Sequence, residues 1–285
     1  MNGAQTLGSL SDASKKGTVG DVKVLVRVVV SNDSALVQQI IRYNNTQNPI
    51  KPWELRVLDP VRTRIETDFQ QTLGITYQFR RGLGRHATEH VLCDKLGPWL
   101  NSFYGDPITS HRNSPELFDS DLKYRSLFNE TSDVRHLLFV YRLGEAVGAT
   151  KDEYRQAVVE DKSANDTETA LYGYFRFGAF THVALHICAE MLSELFGGGP
   201  NVKKRFILSG LLAQDREGAI ATMKGIVKFA LSPLPSEMKD KEAYQELRSL
   251  AGISNLANRV KVSLNQMKAM SPTTVQDLKQ GIELL

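Results

Sequence analysis

Two short patterns in this sequence have the spacing of metal or acid–base chemistry. His86-Ala87-Thr88-Glu89-His90 matches His-x-x-Glu-His, in which two histidines one helical turn apart hold zinc and the glutamate acts as base. The setting opposes the match. The stretch stands at the start of an expected helix, where the dipole repels a cation, Arg85 is adjacent, and no third ligand follows. A zinc metallohydrolase using His86, Glu89 and His90 is therefore the lesser alternative, and no metal site is assigned. His182, His186 and Glu190 recur at i, i+4 and i+8, a rise of about 12 Å end to end, too long for one ion. They read as a polar stripe on an apolar helix, facing solvent or a partner. Gly197 to Pro200 lacks the Lys-Ser/Thr of a phosphate loop and reads as a helix end before a proline.

Three further groups suit phosphates or bases. Asn2, Gly3, Gln5 and Thr6 form a turn ahead of a short helix, with no strand before it, the layout of an anion or nucleotide-phosphate site. No basic partner accompanies it, and Gly3 serves equally as a structural turn. Asn44, Asn45, Gln47 and Asn48 offer amides to an adenine edge or to single-stranded bases, or else build a local turn on their own backbone. Between 51 and 85, Lys51, Arg56, Arg62, Arg64, Arg80, Arg81 and Arg85 face Glu54, Asp59, Glu66 and Asp68, a local +3. Tyr77 and Phe79, with Arg80, Arg81 and Arg85 around Gly82 and Gly84, have the makings of a nucleic-acid-binding strand and loop. The competing reading is an edge strand guarded by charge.

The elements that must position these groups predict a mostly helical α+β fold. A small N-terminal α/β portion has strands near 22–30, rich in β-branched residues, and near 75–80. Ser31 to Ser34 cap a helix, Asp59-Pro60 starts another with Val61, Ile65, Phe69 and Leu73 on one stripe, and Gly74 stops it. No strand is expected beyond residue 85. Helices are expected near 87–103, 115–129, 133–147, 151–159, 168–196, 202–214, 216–231, 240–250, 255–269 and 272–284. The polar run 160–168 is the best linker and 232–240 the second. This gives an α/β portion 1–85, a helical continuation 86–160 and a C-terminal helical domain 161–285.

Bulk properties narrow the classes. With 285 residues the chain buries a real core, and 35 − 32 = +3 is too small to make the whole surface a trap for nucleic acid. Cys93 and Cys188, the two cysteines, suggest neither a disulfide framework nor a thiolate zinc site and fit a reducing cytoplasm. The most apolar run, Leu171 to Phe196, is interrupted by Arg176, His182, His186, Glu190 and Glu194, so a buried helix is expected rather than a membrane span. No catalytic triad is identifiable from spacing, the identity of any cofactor is unknown, and whether the chain is an enzyme stays open.

Three ordered segments resemble the abortive infection phage resistance (AIPR) family. They are Asn2-Gly3-Ala4-Gln5-Thr6-Leu7; Ile40 to Ile50 with Leu58-Asp59-Pro60 and Tyr77 to Arg81; and Gly105-Asp106-Pro107 with Leu117-Phe118-Asp119 and Tyr124 to Asn129. The resemblance fades after about residue 150 and covers the distal part of the family domain, whose turn normally follows a strand ending in Ile-Val. It implies a phage-defence role and no chemistry that transfers residue by residue. The leading expectation is defence through nucleic-acid or nucleotide recognition by residues 1–85, in a chain that is either truncated at its N-terminus or a self-contained short form, with residues 1–20 mobile. The helical remainder would serve assembly with itself, a partner protein or the upstream half of the family domain. The alternative is a non-catalytic protein-interaction module.

Overall fold

In the computed structural model, the residues described are 15, 30–33, 36–37, 51–78, 89–197, 202–238 and 243–285. The chain divides into two compact units, Met1–Lys51 and Pro52–Leu285. In the first, Leu36 and Val37 are helical and Asp33 Oδ1 accepts from the Leu36 N–H at 3.2 Å, the capping expected of Ser31 to Ser34. The strand expected near 22–30 lies outside the described residues apart from Val30, and so does the mobility expected of 1–20 apart from Lys15.

The second unit begins with α1 (Pro52–Leu55), a 3-10 turn at Arg56–Leu58 and α2 (Pro60–Asp68). Asp59 starts α2 as expected, its Oδ1 accepting from the Val61 N–H at 2.9 Å with Pro60 in the first turn. Val61, Ile65 and Phe69 bury their side chains completely, each contributing about 2 kcal/mol. Gly74, at φ 67°, turns the chain into β1 (Thr76–Gln78).

Helices dominate thereafter: α3 (Cys93–Tyr104), α4 (Pro107–Arg112), α5 (Glu116–Asp119), α6 (Asp121–Leu127), α7 (Val134–Arg155), α8 (Asp166–Phe175) and α9 (Phe180–Leu195), then α10 (Gly210–Gln214), α11 (Arg216–Leu231), α12 (Leu234–Glu237), α13 (Ala243–Glu246), α14 (Leu250–Met270) and α15 (Pro272–Lys279). The molecule is mostly helical α+β. Helix α7 is enclosed by α3, α8, α9 and α11, and α9 packs on α3, α11 and α14. Both are apolar around most of their circumference, as full enclosure requires. Close approach has a local cause: a Cβ on Gly97 of α3 would lie 2.5 Å from the Phe118 ring, and one on Gly144 of α7 would collide with the Trp99 ring. Cys93 and Cys188 are free and buried in this core, which pushes both thiol pKa values up. No described helix is long and apolar enough to cross a membrane.

Several expectations need correction. Three strands lie beyond residue 85: β2 (His90–Leu92), β3 (Phe206–Leu208) and β4 (Ile282–Leu284). β2 pairs in parallel with β1, Thr76 opposite His90, and β3 pairs antiparallel with β4, Phe206 opposite Leu284. Three residues carry no readable period, so only the distant partner makes them strands. The expected helix at 87–103 accordingly starts at Cys93, 202–214 is divided by β3, and 272–284 stops at Lys279. Helix α7 runs through the break expected at 148–150, while 168–196 is broken at Arg176–Ala179. The segment 115–129 is divided at Ser120, whose Oγ caps α6 by accepting from the Lys123 N–H. The linker at 160–168 is a loop ending in Asn165, which forms a reciprocal capping box with Glu168. The second expected linker instead carries α12, with Leu234 and Met238 buried.

Substituting Gly144 with alanine should force Trp99 off its seat and cost about 1–3 kcal/mol. Urea unfolding of Gly144→Ala is expected to show a lowered midpoint with an unchanged slope; wild-type stability would mean that the α3–α7 contact yields freely.

Candidate functional site

Asn2, Gly3, Gln5, Thr6, Asn44, Asn45, Gln47, Asn48, Arg80, Arg81, Arg85 and His86 lie outside the described residues. Tyr77 is in the core, its ring stacked on Phe69 with centroids 5.2 Å apart and planes at 11°. Burial, with Cys93 beside it, drives its hydroxyl well above the usual range. That ring has no open face for a base, so its place is structural. His90 begins a strand rather than lying on a helix, and Glu89 is ion-paired with Arg142. The helical spacing on which the zinc reading depended does not exist at His90. Among the described residues no group of three or more His, Cys, Asp or Glu is placed to hold a metal.

The charged residues of 51–78 and the segments 105–107 and 117–129 meet as one scaffold. Arg56 donates from Nε to the Phe118 carbonyl at 2.6 Å, pairs with Asp121, and lies 4.5 Å over the Tyr124 ring. Asp59 caps α2 through one oxygen and receives Arg125 Nη2 at 2.8 Å through the other. Arg64 donates from Nη2 to the carbonyls of Asn129 and Ser132, both at 3.0 Å, and pairs with Asp68 at 2.5 Å. Arg62 pairs with Glu66 at 2.8 Å. Trp53, Phe118, Tyr124 and Phe128 pack edge and face beneath these ties. Asp106 likewise caps α4, accepting from the Thr109 N–H at 2.9 Å. Three of the arginines in the local +3 are thus committed to acids and carbonyls of the scaffold, while Arg80, Arg81 and Arg85 lie outside the described residues.

Residues 79–88 connect Gln78 of β1 to the residue before β2, and both ends are anchored. One anchor is Tyr77 in the core. The other is Glu89 on Arg142, whose side chain is 1% exposed and which also binds Glu145 at 2.5 Å; Arg216 closes the network on Glu145 at 2.6 Å. The connection carries Arg80, Arg81, Arg85, Gly82 and Gly84 and no acidic residue. Arg142 went unread in the sequence, although a lone arginine inside Leu137 to Val147 was a visible signal of a buried ion pair.

The ridge on α9 faces inward, correcting the solvent-facing stripe. Ser102 Oγ lies 2.8 Å from the Pro98 carbonyl and 2.9 Å from His182 Nδ1. Ser102 is fully buried and no carboxylate orients His182, so the pair lacks the access and the third member of a nucleophilic site. Burial, and the charge of His111 beside it, bring His182 down to about 4. His186 is buried one turn on and is likewise lowered to about 4, by burial above all. Burial opposes the charge of Glu190, yet Lys203 and Lys261 hold it below the usual carboxylate range. His136 on α7 is satisfied on both nitrogens, Nδ1 2.8 Å from the Phe206 carbonyl and Nε2 3.0 Å from Tyr104 Oη, and burial lowers it to about 4. These are neutral structural histidines.

A family model described as AIPR protein matches residues 1–171, six-tenths of the chain, and runs on past residue 150 into α8. No curated protein and no solved structure matches the chain.

Two outcomes follow from the buried charges. Arg142→Ala is expected to cost about 3–5 kcal/mol in urea unfolding by stranding Glu89 and Glu145; a loss under 1 kcal/mol would mean the pair anchors nothing. His136 and His182 titrate near 4 when folded against 6.5 ordinarily, so the unfolded state binds protons first as pH falls. Stability should hold above pH 6.5 and fall towards pH 4, and His136→Gln should shallow the fall.

Proposed function

The chain belongs to the AIPR family of phage-defence proteins, and from that premise we propose that it acts in defence by holding single-stranded nucleic acid or a nucleotide on the basic connection 79–88. The observation that carries this reading is the division of charge. Arg56, Arg62 and Arg64 are taken up by the scaffold, whereas the sequence 79–88 carries Arg80, Arg81 and Arg85 and no acidic residue. Phosphates are the natural partners of such a loop, with Phe79 supplying a ring for a base. The amides at Asn44, Asn45, Gln47 and Asn48 and the turn at Asn2, Gly3, Gln5 and Thr6 are further contacts in this reading. The C-terminal helices serve assembly, and the protein works in the cytoplasm.

A second reading, a protein-interaction module, draws on Leu58 and Leu122, 90% and 84% exposed beside the Arg56–Asp121 tie. Nucleic-acid binding separates the two readings. The combined variant Arg80→Ala, Arg81→Ala, Arg85→Ala is expected to lose retention of single-stranded DNA at low salt. The slope of log affinity against log salt should fall by about 2. The same variant should restore phage plating on cells carrying the gene. Unchanged binding by a well-folded triple variant would sink the reading; binding absent from the wild type would favour the interaction module.

A further inference from the structure

A second basic and aromatic surface lies where α4 meets the turn between α8 and α9. Helix α4 ends in His111 and Arg112, and the turn carries Arg176, Phe177 and Gly178. The two are in contact: a Cβ on Gly178 would lie 2.9 Å from His111 Cε1, and the His111 ring is 6.2 Å from that of His182. Arg112 and Arg176 are both exposed, and neither has an ion-pair or side-chain hydrogen-bond partner. The acid nearest in sequence to Arg112, Glu116, is occupied by Lys123 at 2.7 Å. Phe177 is 45% exposed and braced from behind by Tyr244, ring centroids 4.8 Å apart.

The support beneath this surface is rigid. The Phe177 N–H donates to the Tyr174 carbonyl and the Phe180 N–H to the Phe177 carbonyl, each at 2.9 Å, so the turn has a defined backbone. His182, bonded to Ser102, backs His111. Leaving Phe177 45% exposed forgoes burial worth about 1 kcal/mol, although one side of the ring packs on Tyr244. Arg176, next to Phe177 in the turn, and Arg112, next to the His111 that meets Gly178, have no partner among the described residues and supply donors in a fork that fits phosphate oxygens.

We propose that Arg112, Arg176 and Phe177 form a second contact for single-stranded nucleic acid, the arginines holding phosphates and Phe177, backed by Tyr244, stacking a base. The inference rests on the nucleic-acid reading above but uses different residues, so the two can fail separately. The test uses the whole chain and a fluorescein-labelled oligothymidylate of about 20 nucleotides, followed by anisotropy at low salt. Arg112→Ala with Arg176→Ala is expected to weaken binding about 10-fold and to reduce the salt slope by about 1–2. Phe177→Ala should weaken it about 5-fold with little change in slope. The control Lys151→Ala with Lys268→Ala, equal in charge lost, should bind within about 2-fold of wild type. All the substituted side chains are wholly or partly exposed, and matching urea midpoints establish that the variants fold. The proposal is overturned if the arginine double variant binds as wild type does while the Arg80, Arg81 and Arg85 variant has lost binding. It is also overturned if the lysine control falls as far as the arginine pair, and wild type that binds no oligonucleotide overturns both readings together.

Discussion

Arg142 is buried in the middle of α7, a helix enclosed by four others, and its charge has to be met where water cannot reach. Moving a guanidinium from water into such a place is tolerable only with acids at hand. Glu145 comes from the same helix, while Glu89 must be brought from another segment. Meeting that demand fixes Glu89 and places His90–Leu92 beside Thr76–Gln78, and with them the return point of the connection 79–88.

The segments that carry the family resemblance have a similar logic. Asp59, Arg56 and Arg64 bind α2 and the turn before it to the loops around Phe118, Asn129 and Ser132, over a cluster of aromatic rings. Exposed ion pairs contribute little on their own. Arg56 and Arg64 also donate to backbone carbonyls, that of Phe118 in the short helix α5 and those of Asn129 and Ser132 in the loop before α7. The residues that mark the family hold the framework. What remains for a ligand is the charge the framework leaves unpaired.

The histidines teach the same caution. Spacing suggested ligands or a solvent-facing stripe, but His136, His182 and His186 are enclosed and neutral, and the Ser102–His182 pair has no access to solvent through its hydroxyl. Basic side chains without partners stand on fixed elements at the end of α4 and the turn after α8.

The sequence by itself determined the helical class, the start of α2 at Asp59-Pro60, the helical turn that ends at Gly74, the loop before Asn165 and the family. These signals are local, since a cap, a stripe or a glycine acts within one or two turns of chain. Tertiary structure alone decided that His90–Leu92, Phe206–Leu208 and Ile282–Leu284 are strands, that Tyr77 faces Phe69, and that the α9 ridge points inward. It also decided which arginines are neutralised. Arg56 meets Asp121 and Arg142 meets Glu89 across more than fifty residues, whereas Arg112 and Arg176 meet no acid among the described residues. Pairing, burial and residual charge are properties of neighbours in space, and local spacing along a chain does not specify who those neighbours are.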